Sequence, residues 1–128
     1  MARAVFLFNH DAAHQVSHLA PIAGAMARHH PEVETTVAYA SQTVRAQIER
    51  LVRPEDAARM NWHELALPRP IAAATGVLDK IAPVTRLARL RLHQPLFKAS
   101  DAVVSTERTC LRVKRRLRPG TAPPGFRV

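Results

Sequence analysis

A continuous apolar run at residues 4–8, AVFLF, stops at Asn9-His10-Asp11 and hands over to apolar positions spaced for a helix: Val16, Leu19, Ala20, Ala23, Met26 and Ala27. A half-exposed strand would alternate apolar with polar residues. A run without alternation reads as a strand buried on both faces, the mark of a parallel sheet covered by helices. Pro21 is the one discordant residue in the helical stretch, which His29-His30-Pro31 brings to an end.

Strand, loop, helix is thus the opening unit, and the pattern recurs. Residues 35–40 predict a second strand, followed by Ser41 as the N-cap of a helix through Val44, Ile48, Leu51 and Val52 that closes before Pro54. Residues 61–67, with Trp62, Leu65 and Leu67, predict a third, weaker strand. PRPIAAATG (68–76) is a loop or the start of a helix. Residues 77–92 return to helical spacing at Ile81, Val84, Leu87, Ala88 and Leu90 or Leu92, with Pro83 near the first turn. Residues 102–104 predict a fourth strand. Ser105-Thr106-Glu107-Arg108 opens a basic helix through Leu111, Val113 and Leu117, RPGTAPPG is a loop, and GFRV is the first half of a fifth strand. This alternation predicts an α/β fold, a Rossmann-like open parallel sheet of four to five strands with flanking helices. The 128 residues are the length of one domain, so 1–128 read as a single Rossmann-like domain truncated within or just after its fifth strand.

Hydrophobic residues make up 47% of the chain, which excludes a disordered polymer, and aromatics only 5%, which leaves the core to aliphatic packing. The lone Cys110 allows no internal disulfide, and a reducing, cytoplasmic setting follows. The first apolar run is shorter than the roughly seven residues a signal peptide needs. No stretch stays apolar for the roughly 18 residues of a membrane span.

The net charge of +9 is segregated: residues 1–79 hold seven basic and eight acidic side chains, residues 80–118 eleven basic and two acidic. Arg outnumbers Lys sixteen to three, as base composition alone would produce, but such a bias does not gather charge into one third of a chain. An anionic neighbour for that third is expected. The candidate contacts are Arg86, Arg89 and Arg91, interleaved with Leu87, Leu90 and Leu92, and Arg112, Lys114, Arg115 and Arg116. A basic amphipathic helix suits an anionic bilayer surface, with arginine stems over apolar area. Nucleic acid is the less favoured polyanion, since no recognition-helix, RRM or KH pattern is present and aromatics for base stacking are few.

In open parallel sheets ligands bind at the carboxyl ends of strands, where His10, Asp11 and His14 emerge after the first strand and Thr106 and Glu107 after the fourth. A neutral histidine there can act as a general base for a hydroxyl; His14 is the first candidate, His10 the second and His18 structural. The plain alternative is a set of part-exposed histidines at a helix start, with Ser105 or Thr106 as a helix N-cap. His14 and His18 share a face, but HQVSH has Gln15 where HExxH has its glutamate, and no third ligand is evident, so no metal is expected. Residues 1–23 contain no glycine; the dinucleotide fingerprint and the P-loop are both absent, and no cofactor is expected. Cys110 lacks the His and acid partners of a catalytic thiol.

The segments VFLFNHDAAHQVSHLAPIAGAMARHHPEVETTVAYASQ and, far downstream, SDAVVSTERT resemble the N-terminal Rossmann-like half of GT-B-type glycosyltransferases, and look closest to bacterial CDP-glycerol glycerophosphotransferase-like enzymes. HLAPIAGAMA is also similar to UDP-N-acetylglucosamine 2-epimerases. The resemblance implies an acceptor-side domain, with a nucleotide-activated donor held by a C-terminal domain that this chain lacks. It implies acceptor groups presented by residues 10–14, and a cytoplasmic protein peripheral to the inner face of the membrane, acting on a lipid-linked acceptor in cell-envelope synthesis. It further implies that this chain alone is inactive. The alternatives are a non-catalytic basic α/β module binding nucleic acid or another polyanion, and half of a UDP-sugar 2-epimerase-like enzyme.

Overall fold

The computed structural model describes residues 2–9, 13–106 and 125–127. Its elements run β1 (Ala2–Phe8), α1 (Ala13–His29), β2 (Val33–Tyr39), α2 (Gln42–Leu51), α3 (Pro54–Ala57), β3 (Asn61–Glu64), α4 (Arg69–Leu78), α5 (Val84–Leu92), α6 (Gln94–Lys98), β4 (Ala102–Ser105) and β5 (Gly125–Arg127). The strands form one sheet in the order β3-β2-β1-β4-β5, every neighbouring pair parallel. This is an α/β, Rossmann-like open sheet.

The unbroken apolar run of β1 has the predicted cause. Ala4, Phe6 and Phe8 pack with Val37 and Tyr39 of β2, the stripe Val16, Leu19, Ala20, Ala23 and Ala27 of α1, and Val44 and Ile48 of α2. Val5 and Leu7 face the other way, into a second core with Ala38, Leu65, Leu90, Phe97 and Val103. Phe6, Leu7 and Phe8 are fully buried, and each contributes on the order of 1.5–3 kcal/mol, which makes β1 the strand the fold can least do without.

Helix α1 runs straight through Pro21, which lies with Ile22 on the exposed side, so the missing N–H falls away from the core. Gly24 lies where a Cβ would come within 3.3 Å of Val52 Cγ1, and its bareness lets α1 approach the end of α2. Arg28 and His29 in the last turn complement the helix dipole. Ser41 caps α2 as expected, its Oγ accepting the Val44 N–H at 3.4 Å.

Residues 61–92 depart from the sequence expectation. Strand β3 is only four residues long, although Leu65 N–H still donates to the Tyr39 carbonyl at 2.8 Å, one step beyond it. The PRPIAAATG segment belongs to α4, with Pro70 in the first turn where its missing N–H costs nothing. The helix expected over 77–92 breaks in two: α4 ends at Leu78 and Pro83 immediately precedes α5. Pro83 has no N–H to continue a helix, and Asp79 takes over the start of α5, accepting the Thr85 N–H at 2.8 Å and the Thr85 hydroxyl. The short helices α3 and α6, absent from the sequence reading, each place a proline in their first turn. Among the described residues no helix is long and apolar enough to cross a membrane.

Candidate functional site at the β1–β4 switch point

From β1 the chain builds outward to β2 and β3, then passes through α4, α5 and α6 and returns on the opposite side of β1 as β4. The direction of build-up therefore reverses between β1 and β4, and in open α/β sheets that reversal opens a crevice beyond the strand ends. Register pairs Leu7 with Ser105, so Thr106 leaves β4 level with Phe8, one residue short of Asn9 on the adjacent strand. Of the sequence-derived candidates at the two strand ends, Thr106 is described at this edge.

Thr106 is partly buried and donates through Oγ1 to Gln15 Oε1 at 3.3 Å, bridging the end of β4 to the first turn of α1. His14 belongs to the backbone of that same turn. His18, one turn further on, is exposed. His10, Asp11, Glu107, Arg112, Lys114, Arg115 and Arg116 lie outside the described residues, as do Cys110 and the basic helix expected after Thr106.

Asn9 is the residue at this edge that sequence reasoning passed over. It is buried at the tip of β1, and its Nδ2 donates to the Arg86 carbonyl at 2.9 Å. One side chain thereby joins the end of the central strand to the first turn of α5. The signal was available: a polar residue closing an apolar run is where a strand gives up its ladder and needs side-chain partners.

Arg86 and Arg89 project from α5 into a cleft of about 460 Å³ that they line with Asp79, Ile81, Ala82, Pro83 and Thr85. The Asp79 carboxyl is held below the usual carboxylate range, first by the Thr85 hydroxyl and then by the Thr85 N–H, with Arg89 adding to the effect. Arg91 is exposed but is not among the cleft-lining residues. Leu90 is 5% exposed and belongs to the second core, so the apolar face that α5 turns outward is Leu87 and Leu92 alone.

Chemically, this edge holds the polar side chains of Asn9, Gln15 and Thr106, while the guanidinium groups of Arg86 and Arg89 line the cleft along α5. Neutral hydrogen-bonding groups of this kind suit a polar, hydroxyl-bearing ligand. Among the described residues no three His, Cys, Asp or Glu side chains converge as metal ligands would.

A second polar pair joins His63 of β3 to His93, between α5 and α6. His63 Nε2 and His93 Nδ1 are 3.0 Å apart, and His93 Nε2 is 2.8 Å from the Ala66 carbonyl. With Nε2–H of a neutral His93 donating to Ala66, Nδ1 accepts from His63. Burial, and secondarily His93, pushes the His63 pKa down.

Comparison with protein-family models, with curated proteins and with solved structures finds no match to this chain.

Proposed function

We propose that this chain is the acceptor-side domain of a glycosyl- or glycerophosphotransferase that uses a nucleotide-activated donor, cytoplasmic and peripheral to the membrane. The observation that bears most weight is the convergence of Asn9, Thr106, Gln15 and the first turn of α1 at the β1–β4 switch point, with Arg86 joined to Asn9. The GT-B resemblance of the sequence points the same way, as a fold-level analogy.

In this reading His14 takes the proton from an acceptor hydroxyl. That oxygen bonds to the activated carbon or phosphorus of the donor as its bond to the nucleoside phosphate breaks, and the leaving group departs with the electron pair. The donor is held by a separate C-terminal domain.

The test is a titration of the chain with sn-glycerol 3-phosphate, followed by amide NMR. Shifts concentrated at Asn9, Gln15 and Thr106, and weakened about tenfold by Thr106→Val with Gln15→Leu, are the expected result, since two neutral hydrogen-bonding groups are removed. Unmoved resonances at this edge would sink the reading. The second reading, a non-catalytic basic module for nucleic acid or another polyanion, draws on the charge segregation alone and leaves the polar switch-point residues without a task.

A further inference from the structure

We infer that the α4–α5 hairpin is a lipid-docking element in which α4, free of charge from Pro70 to Leu78, and Ile81 at the tip enter an anionic bilayer surface while the arginines of α5 lie among the phosphate headgroups. This deepens the peripheral-membrane part of the proposed function and rests on that reading. It uses residues other than those of the polar switch point.

Helix α4 inverts the usual design of a surface helix, which turns charged residues outward and apolar ones inward. Thr75 is its one buried residue, and no charged side chain occurs from Pro70 to Leu78. Its exposed positions are instead Ile71, Val77 and Leu78, with alanines between, and Ile81 follows at the tip. Ile81 is 86% exposed and Val77 69%. Leu87 and Leu92 of α5 extend the apolar surface. Ten residues of helix span about 15 Å, half of a roughly 30 Å hydrocarbon core, a length suited to lying in the interface rather than crossing it.

The charge around this patch selects the occupant. Arg69 stands at the start of α4, Lys80 at the tip, and Arg86 and Arg89 share their cleft with Ile81. Asp79 is the only acid in residues 69–92, and it is turned onto the N–H and hydroxyl of Thr85. A second copy would bring this cationic rim against itself, a like-charge contact that opposes association. Nucleic acid would satisfy the arginines but leave α4 and Ile81 facing water. An anionic bilayer satisfies both, with phosphate for the rim and acyl chains for the apolar tip.

The experiment is co-sedimentation of the chain with vesicles of phosphatidylcholine alone and of phosphatidylcholine with one third phosphatidylglycerol. The variants are Val77→Asp with Ile81→Asp, and Arg86→Gln with Arg89→Gln. Circular dichroism shows that each variant folds; the aspartates replace side chains already facing solvent. Binding to the anionic vesicles and not to the neutral ones is expected, reduced about tenfold or more by the double aspartate and severalfold by the double glutamine. A double-aspartate variant that sediments like the parent overturns the inference, because binding is then surface adsorption without insertion. A parent that ignores anionic vesicles overturns it too, and so does a dimer that the aspartates dissociate, which would make a second copy the occupant. The vesicles contain no acceptor, so their outcome is independent of the glycerol phosphate titration. Failure of docking alone leaves the acceptor site standing, and failure of the titration alone leaves the hairpin.

Discussion

Asp56 shows how a single side chain sets the relation between two helices. It is 3% exposed, and Arg28 of α1 donates to it through Nε at 3.3 Å and Nη2 at 2.5 Å, tying α1 to α3. The Arg28 hydrogen bond, before any other influence, keeps the Asp56 carboxyl below the usual range. Its folded pKa is thus lower than its unfolded value of about 3.9, so the pair stabilises the protein above that pH and the contribution is lost as pH falls through the folded pKa. Asp56→Asn is expected to lower stability at neutral pH and to flatten the acid side of a urea-denaturation series, with parent and variant converging in strong acid. A parallel offset at every pH would show that the carboxylate's charge is not what matters. Asn9 makes the same point at the site: its value lies in joining the end of β1 to Arg86, a contact 77 residues away in the chain.

At the scale of elements, the hairpin of α4 and α5 is held to the sheet by few ties. Leu90 enters the second core, Asn9 reaches the start of α5, and His93 at its end joins His63 of β3 and the Ala66 carbonyl. Part of His63 is buried at that tie, and the burial, which penalises its charged form, pushes its pKa down. The unfolded chain therefore binds the proton more readily, and stability falls as pH drops below the unfolded value of about 6.5 and through the folded pKa. Between those values the parent is expected to lose stability more steeply than His63→Gln. Amide exchange in Val84–Leu92 should quicken over the same interval. Equal slopes in parent and variant would assign the mild-acid loss to other groups.

For the whole molecule, charge and fold make separate demands. A chain of net charge +9 will adsorb to any polyanion at low salt, whatever its function. Retention on nucleic acid is expected to be independent of sequence and to collapse by orders of magnitude between low and moderate salt, with dissociation constants near the non-specific range of about 10⁻⁴–10⁻⁶ M at physiological salt. Sequence-selective binding that survives moderate salt would favour the polyanion module over the transferase. Vesicle binding through an inserted hairpin should resist salt better, because burial of apolar area is not screened.

The unbroken apolar run of β1, the helical spacing after it and the recurrence of that unit were sufficient by themselves to specify an α/β parallel sheet, because burial on both faces leaves a pattern in one dimension. Ser41 as a cap and residues 125–127 as a strand were equally legible from local chemistry. The sequence could also place histidines and Thr106 at strand ends, since chain order and parallel pairing send every strand end to one edge. Only the tertiary structure decided which ends are neighbours: strand order 3-2-1-4-5 is set by long-range packing, and it alone sets Thr106 against Gln15 and Asn9 against Arg86. It likewise sent Leu90 inward and left Ile81 outside. An apolar residue at helical spacing shows that a helix has a greasy face; whether that face meets the core or the solvent depends on where the helix comes to rest.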